Sequence, residues 1–294
     1  MKIIKGMIKS VRPHQWIKNM FLYAGVVFSG KFFDPTSLGR ATAGFAVFCA
    51  LAAGVYLLND VRDIEADRHH PDKKNRPIAH GDVPLLLAAI VGILLLLSGI
   101  AASIFLGRQF AMMSGGYVVL QFAYIFFLKR QPILDILAVA SGFVIRAAAG
   151  GVVVGVPISS WLLVCTSLLA LFLVTEKRRQ ELARIDLNDN TTKLSRPNLE
   201  NYSVGFLDQI AIIEIAATIV GYMLYVFSVE TKASFGYGMG ATIPFVFYGI
   251  FRYLWLVHIK KVGESPTKIF LTDLPSLVNL ALWCVTVFVV YYLT

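Results

Sequence analysis

Nine stretches of this chain, each close to 20 residues long and nearly free of charge, leave it few ways to fold. They are roughly 17–33, 39–58, 84–106, 110–128, 133–155, 159–175, 208–228, 240–258 and 274–293. A helix needs about 20 apolar residues to cross the hydrocarbon core of a bilayer, and within that core its backbone groups must be satisfied internally. The expectation is an all-α polytopic membrane protein with about nine transmembrane helices. Gly and Pro inside the runs do not exclude helix, because neighbouring helices can satisfy the freed backbone groups. A mean hydropathy of +0.68 overrides the one or two soluble domains that 294 residues would otherwise allow. No linker or low-complexity tract divides the chain, so residues 1–294 read as a single integral membrane domain.

The distribution of basic residues sets an orientation. With the N-terminus on the cytoplasmic side, the inside segments hold 21 Lys and Arg and the outside segments four, namely Lys31, Arg40, Arg108 and Lys232. Positive charge concentrates on cytoplasmic loops, so this split places the N-terminus in the cytoplasm and the C-terminus outside. It also explains the net charge of +9 without a nucleic-acid partner. No small-residue cleavage site follows the basic start, so no cleavable signal peptide is expected. Cys49, Cys165 and Cys284 all fall inside apolar runs and read as buried small hydrophobes.

The densest charge lies between the second and third runs, in NDVRDIEADRHHPDKKNRPIAHG, residues 59–81. Asp60, Asp63 and Asp67 stand at i, i+3 and i+7, and Asn59 is four residues before Asp63. On a helix these share one face. Three carboxylates on one face repel each other unless something positive sits among them. Oxygen-only ligands suit Mg2+, which is commonly bound together with substrate phosphates. The basic residues that follow, Arg68, Lys73, Lys74 and Arg76, suit those phosphates. The alternative is a solvated helix end of mixed charge.

Other cationic positions carry two readings each. Arg12, Trp16 and Lys18 in RPHQWIKN could contact phosphate at the membrane surface, or form an aromatic and cationic anchor. Arg146 lies in the body of the fifth run, where a charge costs at least about 2.5–3.5 kcal/mol. It should face a polar cavity as a phosphate clamp or pair with an acid. Arg252, nearer the end of its run, could snorkel. Lys177 and Arg178, one turn before Glu181, suit a second anionic group or a stop signal, and Lys129 and Arg130 read the same way. His69, His70 and His80 lack the spacing of a zinc helix, Asp186 and Asp189 read as loop surface, and no soluble nucleotide-binding or hydrolase signature occurs.

Asn59, Asp60, Asp63 and Asp67 form N-D-x-x-D-x-x-x-D, which resembles the first signature of the UbiA superfamily of intramembrane prenyltransferases. Most of that superfamily carries a second D-x-x-x-D in the later cytoplasmic loop. Here that place holds KRRQEL, residues 177–182. Together with RPHQWIKN, VYLLND, ADRHHPDKKNRPIA, FLKR, VIRAAAGG and EKRRQEL, this resembles the decaprenyl-phosphate phosphoribosyltransferase branch.

The resemblance implies a UbiA-like helical fold around a central cavity open to the cytoplasmic side. It implies transfer of 5-phosphoribose from phosphoribosyl diphosphate to a polyprenyl phosphate, in lipid-linked sugar and cell-wall precursor synthesis. Mg2+ would bind at Asn59 and Asp63, with Asp60 or Asp67 completing or supporting the shell, and Asp60, Asp63 and Asp67 would serve catalysis. Lys73, Arg76, Arg146, Lys177 and Arg178 would hold donor phosphates, with Glu181 beside them and Tyr56 beneath the motif. Lys18 and Lys129 would meet the lipid phosphate. An aromatic prenyltransferase using a polyprenyl diphosphate is the second reading, and the missing second acidic pair argues against it. A transporter of phosphorylated metabolites is the third, disfavoured because the charge gathers at one end of the spans rather than near midplane. The sequence leaves the oligomeric state open.

Overall fold

The computed structural model describes residues 2–31, 33–69, 73–187, 197–260 and 272–293, and among them every regular element is helical. His70, Asp189, Lys193, Arg196, Lys261 and Lys268 lie outside the described residues, as does the side chain of Asp186. The chain forms two compact units, Met1–Ser159 with Asn190–Leu199, and Ser160–Asp189 with Glu200–Thr294.

The first unit runs through α1 (Lys2–Ser10), a 3-10 segment (Pro13–Tyr23), α2 (Ala24–Phe28), α3 (Pro35–Arg62), α4 (Ile64–Arg68), α5 (Pro77–His80), α6 (Leu85–Phe105), α7 (Arg108–Phe126) and α8 (Leu134–Val154). The second holds α9 (Ser160–Leu187), α10 (Val204–Val226), α11 (Val229–Phe235), α12 (Ile243–His258) and α13 (Leu274–Leu293). Seven helices are long and apolar enough to span a bilayer among the described residues, against the nine runs expected. Two runs account for the difference. Residues 17–33 do not form one helix, because Pro13–Tyr23 winds as 3-10 and only Ala24–Phe28 is α-helical. The α7 helix is long enough but carries Arg108, Gln109, Ser114 and Gln121 among its apolar residues.

The 3-10 segment has a reason in the sequence. Three residues per turn align Trp16, Asn19 and Leu22 on one edge, and Asn19 and Leu22 are buried. This edge packs on α8 at backbone contact, since a Cβ on Gly150 would lie 2.2 Å from the Leu22 carbonyl oxygen. Small residues let helices approach this closely in a membrane, where apolar burial alone drives little association. Leu22, Val26, Phe48, Leu51, Phe110, Tyr117, Ala149 and Val153 make the core.

The α3 helix organises the unit. Asp34 caps its start, accepting from the Ser37 amide at 2.9 Å, with Pro35 in the first turn. Arginines near its two ends satisfy the last carbonyls of neighbouring helices, groups with no partner inside their own helix. Arg40 donates to Val153 O (2.6 Å) and Leu106 O (3.0 Å), and Arg62 donates to Ile125 O (2.5 Å).

In the second unit α9 packs chiefly on α10, and α12 on α13. Asp273 caps α13, accepting from the Ser276 amide at 3.0 Å, and also accepts from Arg252 Nη2 at 2.8 Å and Nε at 3.2 Å. Arg252 therefore holds two helices together instead of snorkelling. The Arg252 hydrogen bonds, with those from Ser276, hold the Asp273 carboxyl down at about 2. A depressed pKa gives stability that is present above the unfolded value and lost only as pH falls through about 2, so the pair is intact at every working pH. Asp273→Ala is expected to lose about 1 kcal/mol from the cap alone. Asp273→Asn, which keeps an oxygen for the cap, should recover part of the loss in a detergent melting curve. Among the described residues all three cysteines are free thiols; Cys49 is buried as expected, but Cys165 is only half-buried and Cys284 is exposed on α13.

Candidate functional site

Helical hydrogen bonding continues through the acidic motif even though α3 ends at Arg62. The Asp63 amide donates to Asn59 O (2.9 Å) and the Asp67 amide to Asp63 O (2.8 Å). The spacing of three and then four therefore does bring Asp60 and Asp67 to one place, where Arg76 Nη1 donates to Asp60 Oδ1 at 3.0 Å and to Asp67 Oδ2 at 2.6 Å. Both carboxylates are almost fully buried, each residue 3 % exposed. A second guanidinium reaches the same oxygen, with Arg12 Nη2 donating to Asp60 Oδ1 at 2.5 Å.

Arg12 makes this contact from a left-handed backbone, φ 52°, a conformation a non-glycine residue holds only where its surroundings impose it. Its guanidinium also lies 5.0 Å from the centre of the Tyr56 ring. Asp63, at the break between α3 and α4, is more open and accepts from Lys129 Nζ at 3.0 and 3.3 Å. The repulsion anticipated among three acids is thus balanced within the protein by Arg12, Arg76 and Lys129, three cations for three carboxylates.

Electrostatics follow from this arrangement. Burial lifts the Asp67 carboxyl above the ordinary aspartate range; Arg76 opposes the shift, Asp60 adds to it, and Lys73 opposes it more weakly. Burial lowers the pKa of His14, and the charges of Arg12 and Lys18 lower it further, so this imidazole favours its neutral form.

Asn59 is the one motif residue whose side chain has no hydrogen-bond partner among the described residues. Among those residues no three acidic, histidine or cysteine side chains gather as a metal cage. The donor chemistry still fits Mg2+, which takes one or two carboxylate or amide oxygens and completes its shell with water and substrate phosphate. Asn59 presents such an oxygen, and Asp63, although it accepts from Lys129, is the most open of the three carboxylates, whereas Asp60 and Asp67 are buried against arginine.

Arg146 is buried, 5 % exposed. Its Nε donates to Asn19 Oδ1 (2.7 Å), Nη1 to Gly142 O (2.7 Å) and Nη2 to Tyr117 OH (2.8 Å). All three acceptors are neutral, so among the described residues no acid pairs with this charge and the salt-bridge alternative does not hold.

In the second unit, Glu181 gathers the cations expected beside it. Arg178 Nη1 donates to Glu181 Oε2 at 3.1 Å, and Lys177 Nζ stands 3.9 Å from Oε1. The neighbouring face of α9 carries a polar seam, of which Glu214, Asp208 and His258 had no sequence expectation. Thr175 donates to Glu214 at 3.1 Å, Glu176 lies 3.5 Å from His258 Nε2, Arg179 pairs with Asp208, and Gln180 donates to Tyr253 OH at 3.4 Å. A signal for it existed, since Glu214 is an acid inside an apolar run, and such residues face inward and find partners. The segment RPHQWIKN offers Arg12 to the membrane surface, and nothing local in it points to a partner 48 positions away.

A family model described as the UbiA prenyltransferase family matches residues 19–291. A decaprenyl-phosphate phosphoribosyltransferase of Mycolicibacterium smegmatis is 40% identical over 230 residues, which is 77% of this chain and 71% of that protein. The protein of the same name from Mycobacterium tuberculosis is 35% identical over 289 residues, 97% of this chain and 94% of its own length. Among solved structures, a UbiA homologue from Archaeoglobus fulgidus bound to DMAPP and Mg2+ matches with a TM-score of 0.72 at 18% identity, covering 98% of this chain and 99% of that one. At that identity the likeness speaks to the fold.

Proposed function

The chain belongs to the UbiA prenyltransferase family, and from that premise we propose that it transfers 5-phosphoribose from phosphoribosyl diphosphate to a polyprenyl phosphate, releasing diphosphate. The reaction would supply lipid-linked sugar for cell-wall precursors, at the cytoplasmic face of the cell membrane. The names of the two mycobacterial relatives support the reaction class. The observation that carries the reading to this chain is the interleaving of Asp60, Asp63 and Asp67 with Arg12, Arg76 and Lys129. A face that offers carboxylate oxygens and guanidinium groups side by side suits a donor with several phosphate groups. Diphosphate wants a divalent metal together with fixed cations, and guanidinium matches phosphate geometry in a way that a point charge does not.

Within that reading each residue has a stated task. Asn59 and Asp63 would hold Mg2+, which would neutralise charge on the departing diphosphate. Asp60 and Asp67 orient Arg12 and Arg76 and so act as positioning residues. Arg76, Lys73 and Arg12 bind donor phosphate, and Tyr56 supports Arg12 from below. Arg146 adds positive field from its buried place. Lys18 and Lys129 receive the lipid phosphate, and Lys177, Arg178 and Glu181 of the second unit form a further phosphate-handling cluster. An oxygen of the polyprenyl phosphate attacks the anomeric carbon as the bond to diphosphate breaks. That oxygen is already anionic, so the step needs no strong general base.

The test is a membrane assay with Mg2+ and two labelled substrate pairs, phosphoribosyl diphosphate with polyprenyl phosphate, and prenyl diphosphate with 4-hydroxybenzoate. The expected product is the lipid-phosphate ribose from the first pair. Outer partners of a bound metal typically matter by about 10–100-fold in activity, so Asp63→Asn should cost at least that. A prenylated aromatic from the second pair, with nothing from the first, would replace this reading with aromatic prenyl transfer.

A further inference from the structure

The N-terminal helix α1 takes no part in the site described, yet its three faces differ sharply. Gly6 and Ser10 are buried, and Met7 packs against Ile78 and Val83 in a small core. The seat is tight, because a Cβ on Gly6 would lie 2.8 Å from Val83 Cγ2 and 3.3 Å from Pro77 Cβ. At 100° per residue Lys2, Lys5 and Lys9 fall together on a second face. Ile4 and Ile8 form a third, 66 % and 57 % exposed. Exposed isoleucine beside a row of lysine, with no acid anywhere in the helix, is the pattern of a helix lying in the interface of a bilayer.

We propose that α1 is an interfacial helix whose partner is an anionic lipid surface. In this arrangement Ile4 and Ile8 enter the acyl boundary while Lys2, Lys5 and Lys9 contact headgroup phosphates. Charge decides between this partner and a second copy of the chain. Two apposed α1 helices would bring six lysines together without an acid from either helix, whereas anionic headgroups neutralise them. The contact has a route to the site in the same unit. The helix sits on Pro77 and Val83, just after Arg76, and leads into Arg12, whose guanidinium is clipped to Asp60. Lipid that steadies α1 therefore steadies both arginines on the Asp60 carboxylate.

The inference depends on membrane placement and not on the transfer reaction, so its test uses no substrate. Amide hydrogen exchange of the full chain would be followed over residues 2–10 and 76–83, in nanodiscs of phosphatidylcholine alone and with phosphatidylglycerol added. Exchange in both segments is expected to slow several-fold with the anionic lipid. The difference should vanish in the Lys2→Gln, Lys5→Gln, Lys9→Gln triple variant, and at about 1 M salt, where screening shortens to about 3 Å. Equal exchange in both lipids would overturn the proposal, as would a difference that the triple variant retains. Slowing that follows the number of chains per disc instead of lipid charge would also overturn it and assign the face to self-association.

Discussion

Arg76→Ala is expected to be among the most damaging single substitutions in the first unit, in stability and in donor binding alike. Its Nη1 serves two buried carboxylates. Asp60 keeps Arg12, but Asp67 loses the one side-chain donor it has among the described residues. Breaking a buried ion pair by removing one partner costs about 3–5 kcal/mol, because the remaining charge stays out of water. The loss should depend on pH. Burial already raises the Asp67 pKa above its unfolded value, and without Arg76 the shift grows. A carboxyl with a raised folded pKa contributes stability below its unfolded pKa and loses it as pH rises through the folded one. The variant should therefore melt closest to wild type in mild acid and fall away toward neutral pH. Adding Asp67→Asn should restore much of the stability and flatten the pH profile, but leave donor binding weak, because the phosphate-binding guanidinium is still missing. If the double variant is no more stable than Arg76→Ala, Asp67 is not the stranded charge and the ion-pair account fails.

How much of this site was legible depends on the length scale of each contact. The carboxylates were legible because the helical period is local. Asp60 and Asp67 are seven apart, and seven residues are close to two turns. That Arg76 would serve them was half legible, since the basic run follows within ten residues. Arg12 was visible as a cation near a membrane surface, but its pairing with Asp60 depends on how a 3-10 segment folds back across α3, and no pattern in RPHQWIKN encodes that. The same segment explains the shortfall in spans. Apolar content predicted a helix over 17–33, yet buried polar Asn19 and backbone contact at Gly150 favoured tighter winding with a period of three.

Arg146 was correctly placed inside the protein by its cost in lipid, but the identity of its partners was not legible. Neutral acceptors such as Asn19 and Tyr117 leave no charge signature in a sequence. Glu214 was harder to read for the opposite reason, as a single acid inside an apolar run and away from the clustered charge. An isolated acid in a span carries as much information as a cluster, because it costs as much to leave unpartnered.

The backbone contact between α8 and the 3-10 segment gives the sharpest structural expectation. Gly150→Ala would place a methyl carbon 2.2 Å from the Leu22 carbonyl oxygen and 2.9 Å from the Leu22 Cα. No rotamer relieves this, because both partners are main chain. Overpacking in a core typically costs about 1–3 kcal/mol and occasionally more, and a clash with backbone belongs at the upper end. The displaced segment carries Asn19, so the Asn19–Arg146 hydrogen bond would go with it. Gly116→Ala is the control. It lies in α7 with no atom within 4 Å of the new Cβ, and alanine favours helix over glycine by up to about 1 kcal/mol. The two variants make the same chemical change in two helices of one unit. Melting in detergent should show Gly150→Ala strongly destabilised and Gly116→Ala equal to or slightly above wild type. Equal melting temperatures for the two would mean that α8 and the 3-10 segment are not in backbone contact. The route by which Arg12 is brought to Asp60 would then have to be different.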